Sequence, residues 1–148
     1  MSEGNTKCMF CTLFVGVLDL ITGHLDYCNG GHNAPLLKRV GTDVAYHFAK
    51  VKVNLPVGVS ENYPYKTCNT DLNHGDVVLL YTDGVTEAEN TEKRLFGDDA
   101  LRTAFLRSDV KPNAAARDYV DGVYAALVGH TSGAEQNDDI TMLAIAYS

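Results

Sequence analysis

The sequence lacks three features, and each absence excludes a class of protein. No apolar run reaches the ~18 residues of a transmembrane helix, and no basic-then-apolar start indicates a signal peptide, so we expect a cytoplasmic chain without a membrane segment. Acidic residues outnumber basic ones by 19 to 12, which gives a formal net charge of −7. Because basic residues form no cluster, the chain is a poor candidate for binding nucleic acid or an anionic membrane surface.

The third absence is a disulfide framework, since four cysteines in 148 residues are too few to suggest one. Cys8 and Cys11 have the spacing of a metal-binding pair. They could be half of a zinc site or two reduced thiols buried at the start of an apolar strand. No second pair of cysteines or histidines follows at zinc spacing, which favours buried thiols.

The chain has the size and composition of one soluble globular domain, with 45% apolar and 21% charged residues. Short apolar segments separated by turn residues indicate antiparallel sheets rather than βαβ units. The run 9–18 is apolar on both faces, so it is predicted to be internal to its sheet, and 55–59 is predicted to be a connecting loop. The predicted strands lie in a hairpin at 10–28 and at 35–40, 44–48, 63–72, 77–81 and 140–147.

Two helices are predicted after position 90. The first takes Asp98 as its N-cap and ends at Arg107, and the second begins at Pro112 and ends at Gly129. Apolar residues at helical spacing predict one core-facing stripe on each helix. These stripes are Leu101, Ala104 and Phe105 in the first helix and Ala116, Val120, Val123 and Leu127 in the second.

Two aspartates stand at the ends of apolar strands. Asp83 follows the continuous apolar run 77–81, which reads as a strand buried on both faces, and Gly84 permits a sharp turn after it. Asp138 precedes the last apolar strand. If these two strands pair antiparallel, the two carboxylates become neighbours.

Neighbouring carboxylates repel each other unless a cation lies between them. Hard oxygen ligands without nearby histidine or cysteine suit Mg²⁺ or Mn²⁺ rather than zinc. Each site also has a simpler interpretation, because Asp83-Gly84 is a common turn dipeptide and Asp138-Asp139 could be a polar turn that opens a strand. Both interpretations remain open at this level.

The motifs around these residues resemble those of the SpoIIE-type serine phosphatases, the bacterial branch of the protein phosphatase 2C superfamily of metal-dependent protein phosphatases. The central motif is 81–88 with Asn90, followed by 95–97. Four further stretches fall in the family's order and at its spacings. They are 9–14, the loop 29–33, the segment 55–59 and the stretch 137–141.

The resemblance implies an α+β fold, an antiparallel β-sandwich flanked by helices. It implies a binuclear Mn²⁺ or Mg²⁺ centre whose activated water hydrolyses phosphoserine or phosphothreonine in a protein. Asp83 and Asp138 match metal-binding aspartates, and Gly84 and Asp139 match neighbours that need not touch metal. His32 and Asn33 match a motif that we interpret as structural. The implied substrate is a phosphoprotein, typically an anti-sigma-factor antagonist in bacterial signal transduction.

Two acidic motifs of the family have no match here, a Gly-Asp-aromatic stretch and an Asp-x-x-Gly-His-Gly stretch. They supply the remaining metal ligands, so no complete catalytic set is expected in this chain. Residues 1–148 therefore resemble the C-terminal part of one phosphatase domain that lacks its N-terminal portion. The chain is either a segment of a longer enzyme, inactive alone, or a catalytically dead module that binds phosphoproteins. The retained Asp83 and Asp138 favour the former.

Missing neighbour strands would leave a sheet edge near 10–18 unpaired. Unpaired edges recruit other chains, so a homo-oligomer through this edge is expected.

Overall fold

Two antiparallel sheets and three helices make up the regular structure in the computed structural model, which describes residues 9–48, 54–108 and 114–148. The strands are β1 (Leu13–Leu18), β2 (His24–Gly30), β3 (Leu36–Lys38), β4 (Ala45–His47), β5 (Cys68–Asp71), β6 (Val77–Tyr81) and β7 (Met142–Ala146). The helices are α1 (Asp83–Thr86), α2 (Gly97–Arg107) and α3 (Ala116–Thr131). The predicted α+β class is confirmed.

The first sheet has the order β1-β2-β5. The predicted hairpin is confirmed, because β1 pairs antiparallel with β2 from Leu13 opposite Gly30 to Leu18 opposite Leu25. Asp19 closes the hairpin turn by accepting hydrogen bonds at Oδ1 from the backbone nitrogens of Ile21 (2.8 Å) and Thr22 (3.1 Å). These bonds stabilise the charged carboxylate and lower the pKa of Asp19.

The second sheet has the order β4-β3-β6-β7, and all its pairs are antiparallel. β6 is internal, between β3 and β7. Four of its five residues are buried, because Val77, Leu79 and Tyr81 face the helices while Val78 faces the first sheet. This confirms the strand buried on both faces that the apolar run predicted.

Two apolar layers hold the elements together. The larger layer lies between the second sheet and the helices, and it includes Leu79, Leu101, Phe105, Val123 and Leu127. The smaller layer lies between the sheets, where the rings of Phe14, Tyr27 and Phe48 contact one another with centroids 5.1–6.1 Å apart. The arrangement is the predicted sandwich with helices flanking it.

The helix boundaries differ from the prediction. α2 begins at Gly97, so Asp98 lies in the first turn instead of capping it. α3 continues past Gly129 to Thr131 and ends where Ser132 adopts a left-handed conformation (φ 48°), so Gly129 is not the stop. Pro112, the predicted start, lies outside the described residues. Beyond Gly129, His130 contacts the Phe96 ring and the Arg94 oxygen, which accompanies the longer α3.

The first strand has the unpaired edge that the sequence predicted near 10–18. β1 is the edge strand of the first sheet, and the side chains of Leu13, Val15 and Val17 are 46%, 50% and 71% exposed. No described element covers that face, so an apolar composition on both faces does not produce burial here. Cys11, just before β1, is exposed, which contradicts the predicted burial, and Cys8 lies outside the described residues.

The strands β3, β4, β5 and β7 are shorter than predicted, and β5 differs most. The segment 55–59 is the expected loop, apart from one bridge between Cys11 and Val57. In the described part of the chain, no helix combines the length and the apolar character that crossing a membrane requires.

A candidate metal site at the joined ends of β6 and β7

The antiparallel pairing of β6 with β7 brings the candidate ligands to one end of the second sheet. Tyr81, the last residue of β6, pairs with Met142, the first residue of β7. Beyond this pair, Thr82 keeps the two chain segments together. Its backbone nitrogen donates to the Thr141 oxygen (3.1 Å), and its Oγ1 accepts from the Thr141 nitrogen (3.0 Å) and donates to the Asp139 oxygen (2.9 Å).

Gly84 lies where the two segments approach most closely. A Cβ atom at this position would be 2.4 Å from the Asp139 backbone oxygen and 3.5 Å from the Asp138 carbonyl carbon. Only a residue without a side chain fits such a contact, which explains the glycine by close approach rather than by a positive φ. The sequence prediction that the Asp83 and Asp138 segments become neighbours is therefore confirmed for the backbone.

Both candidate carboxylates are exposed to solvent at this sheet end. Asp83 Oδ1 accepts from the Gly84 nitrogen (3.2 Å), and Asp138 Oδ1 accepts from the Asp139 nitrogen (2.7 Å). Neither carboxylate makes an ion pair with any other described residue. Their remaining oxygen lone pairs are open to a cation, although the role of these residues as ligands stays a prediction.

The donor set fits one hard divalent cation better than two. Mg²⁺ is commonly held by one or two carboxylates while it keeps several waters, which matches what Asp83 and Asp138 offer. Among residues 9–48, 54–108 and 114–148, no group of three or more His, Cys, Asp or Glu side chains is placed to hold a metal ion. A binuclear centre needs further ligands.

The stretch 29–33, which includes the last two residues of β2, is internally braced, as the structural interpretation of its motif predicted. The Asn29 side chain spans the loop, with Oδ1 accepting from the His32 nitrogen (2.8 Å) and Nδ2 donating to the His32 oxygen (2.8 Å). Gly31 permits the turn with φ +77°. The bracing residue is thus Asn29. The sequence predicted no role for Asn29, nor for Thr82 at the ends of β6 and β7.

Comparison with known proteins identifies the family of this chain. The family model of Stage II sporulation protein E (SpoIIE) matches residues 1–148, the entire chain. The chain belongs to the SpoIIE family. Protein IcfG of Synechocystis is 31% identical over 144 residues, which cover 97% of this chain and 22% of IcfG. Phosphoserine phosphatase RsbU of Bacillus subtilis is 25% identical over 137 residues, which cover 93% of this chain and 39% of RsbU.

The fold agrees with that assignment. The structure of the PP2C phosphatase domain and a fragment of the regulatory domain of SpoIIE from Bacillus subtilis superposes with a TM-score of 0.70 at 22% identity, covering 90% of this chain and 37% of that one. The chain therefore has a SpoIIE-type phosphatase fold. It spans well under half the length of the curated relatives it matches.

Proposed function

We propose that this chain forms part of a metal-dependent phosphatase domain that hydrolyses phosphoserine or phosphothreonine in a protein. The observation that carries this proposal is the pairing of β6 with β7, which joins the Asp83 and Asp138 segments at one sheet end in a chain of the SpoIIE family. Relatedness to RsbU, which is named a phosphoserine phosphatase, supports the reaction type.

The residues of this chain would hold the metal and fix its position. Asp83 and Asp138 supply carboxylate oxygens to one Mn²⁺ or Mg²⁺ ion. When bound, such an ion would supply a water molecule of lowered pKa, which loses a proton more readily and so becomes a better nucleophile toward phosphorus. Gly84 and Thr82 keep the two ligand segments at a fixed separation, which preserves the geometry that the attack needs.

The substrate we propose is a phosphoprotein, with an anti-sigma-factor antagonist as its specific form. The latter rests on the sequence resemblance and on the similarity to RsbU. The acidic net charge of −7 and the absence of a basic cluster in the sequence fit a protein substrate better than a nucleic acid. We propose that the reaction takes place in the cytoplasm.

The chain should be inactive alone, because two carboxylates leave most of the roughly six coordination positions of Mn²⁺ or Mg²⁺ to water. We expect negligible hydrolysis of p-nitrophenyl phosphate by the 148-residue chain, even with millimolar Mn²⁺. A chain extended upstream to include both missing acidic motifs should be active. Asp83→Asn or Asp138→Asn in that longer chain should lower kcat by orders of magnitude.

The matched control for this experiment is Asp121→Asn, an exposed aspartate on α3 whose removal should leave kcat unchanged. Mn²⁺-dependent turnover by the short chain would contradict our account of the missing ligands. An unimpaired Asp83→Asn variant of the extended chain would remove Asp83 from the site.

A second candidate is a phosphoprotein-binding module without turnover, and the small number of clustered metal-binding side chains in the described residues favours it. The extended chain separates the two candidates. Binding of a phosphoserine peptide without hydrolysis would support the module, and hydrolysis would support the phosphatase.

We also propose that β1 mediates self-association. It pairs with β2 on one side, and no described strand pairs with its other edge. Free edges with exposed apolar side chains promote pairing between chains. Light scattering should show a dimer or larger species, whereas a monomer at high concentration would contradict this proposal.

A further inference from the structure

A cleft of about 450 Å³ lies beside the candidate metal site. Its walls are the last two turns of α3, the turn 88–96 that follows α1, and the segment 134–140 that leads into β7. Gly84 and Asp138 line one end of it, so the cleft is continuous with the joined ends of β6 and β7. Apart from Gly84 and Asp138, its lining residues take no part in the candidate metal site.

Hydrogen bonds between the three walls indicate that the cleft is formed before any partner binds. The Phe96 nitrogen donates to the Ala88 oxygen (2.9 Å), which closes the turn between them. His130 on α3 contacts the same turn through a hydrogen bond of Nε2 to the Arg94 oxygen (2.9 Å) and an edge-to-face contact with the Phe96 ring (5.4 Å). Asn137 in the third wall donates to Glu89 Oε2 (3.2 Å).

Part of the cleft surface is apolar. Leu95, Tyr124 and Val128 line it and are 55%, 54% and 51% exposed. Leu127 and Ile140, which are more buried, line it too. Exposed apolar side chains that converge on one concave surface indicate a binding site, whereas single ones do not.

The charged residues of the cleft are all acidic. Glu87, Glu89, Glu135 and Asp138 line it, and no lysine or arginine does. Lys93, outside the lining, pairs with Glu89 (2.9 Å), and this hydrogen bond lowers the pKa of Glu89. Glu87 makes no ion pair with another residue in the described ranges, and Glu135 makes no direct one there, although its charge helps to raise the pKa of Lys93.

We propose that this cleft docks a basic, apolar segment of the phosphoprotein substrate, next to the phosphorylated residue. Lysine or arginine side chains of that segment pair with Glu87 and Glu135, and its apolar side chains cover Leu95, Tyr124 and Val128. This inference rests on the proposed function. It adds that the substrate carries basic and apolar residues close to its phosphorylated residue.

The acidic side chains of the cleft favour a basic segment as its occupant and disfavour a second copy of this chain. A second copy also carries a net charge of −7, so two acidic surfaces would repel each other in this cleft. A docked segment that leaves the cleft at Asp138 reaches the candidate metal site directly. Binding energy from side chains remote from the phosphoryl group then positions the phosphoserine for attack.

The test uses the 148-residue chain and an unphosphorylated probe, a short fluorescein-labelled peptide of lysine and leucine, in fluorescence anisotropy titrations. We expect this peptide to bind, and a glutamate–leucine peptide of equal length not to bind. Tyr124→Ser should weaken binding about tenfold, since aromatic side chains in a docking surface contribute strongly to affinity. Its matched control is Tyr46→Ser, because Tyr46 is 53% exposed on β4 outside the cleft.

Charge reversal separates the cleft from general attraction to an acidic protein. Glu135→Lys and Asp43→Lys change the net charge equally, but Asp43 is an exposed residue outside the cleft lining. We expect Glu135→Lys to weaken binding several-fold more than Asp43→Lys does. Equal effects of the two reversals, or of the two tyrosine variants, would overturn the proposal.

Failure of this proposal is distinguishable from failure of the proposed function. The probe carries no phosphate and needs no metal, so its binding is independent of hydrolysis. If the extended chain hydrolyses p-nitrophenyl phosphate but the lysine–leucine peptide does not bind, the docking cleft is rejected and the phosphatase assignment stands. If the peptide binds in the cleft but the extended chain is inactive, the phosphatase assignment is rejected, and with it the statement that the docked partner is a substrate.

Discussion

Replacing Asp76 by alanine should destabilise this protein severely, because Asp76 is a fully buried carboxylate that joins three parts of the fold. It precedes β6 and is 0% exposed. Its Oδ2 accepts hydrogen bonds from Arg39 Nη1 (2.6 Å) and the Asn73 nitrogen (2.8 Å), and its Oδ1 accepts from the Val40 nitrogen (2.8 Å). Arg39 in turn donates to the Asp71 oxygen (2.6 Å), which connects the second sheet to β5 of the first.

The expected cost follows from these contacts. Alanine would leave the Arg39 guanidinium without its buried partner and would leave the Val40 and Asn73 nitrogens without acceptors. Breaking a buried ion pair by removing one partner typically costs about 3–5 kcal/mol. That is a large fraction of the roughly 5–15 kcal/mol by which a domain is usually stable.

Urea unfolding followed by circular dichroism measures this cost. With a urea m-value of about 2 kcal/mol/M, a loss of about 3–5 kcal/mol lowers the midpoint by roughly 1.5–2.5 M. The control is Asp121→Ala, which removes an exposed pair with Arg117 on α3, a kind worth roughly 0.3–0.5 kcal/mol. A loss below about 1 kcal/mol for Asp76→Ala would refute the argument that this buried pair joins the sheets.

Three further predictions concern single positions. Leu79→Ala should lower the free energy of unfolding by about 2–5 kcal/mol, because Leu79 is fully buried, and a thermal melt shifted by only a degree or two would contradict its central place. Gly84→Ala should be destabilising, because the new methyl group would collide with the backbone of Asp139. Gly129→Ala has nothing within 4 Å of its new methyl group, so it should stabilise α3 by about 0.5–1 kcal/mol in the same urea assay. The hydrogen bond to Asp71 raises the pKa of His24 above 6.5, so its stabilising contribution is complete below pH 6.5 and is lost as pH rises through the raised pKa. NMR titration should show this raised value in the native chain and a lower one in Asp71→Asn.

The amino-acid sequence by itself determined the elements whose pattern is local. Unbroken apolar character at 77–81 identified the central strand, since a strand covered on both faces needs no polar alternation. Turn residues and helical spacing placed the hairpin and the buried face of α2. For α3 the spacing found Val123 and Leu127, whereas the third buried residue is Tyr119 and not the predicted Ala116 or Val120. The meeting of the Asp83 and Asp138 segments was predicted only on the condition that their strands pair antiparallel, and the tertiary structure supplied that pairing.

The tertiary structure alone decided which surfaces are covered. The strand β1 has the composition of an internal strand, and only the structure shows that no described element covers the face of Leu13, Val15 and Val17, because burial depends on neighbouring layers that the strand itself does not encode. The burial of Asp76 depends on Arg39, which is distant in sequence. The acidic cleft combines α3, the turn 88–96 and the segment 134–140, none of which forms a pocket alone. Local periodicity reports which face of an element is apolar, but long-range packing decides what that face meets.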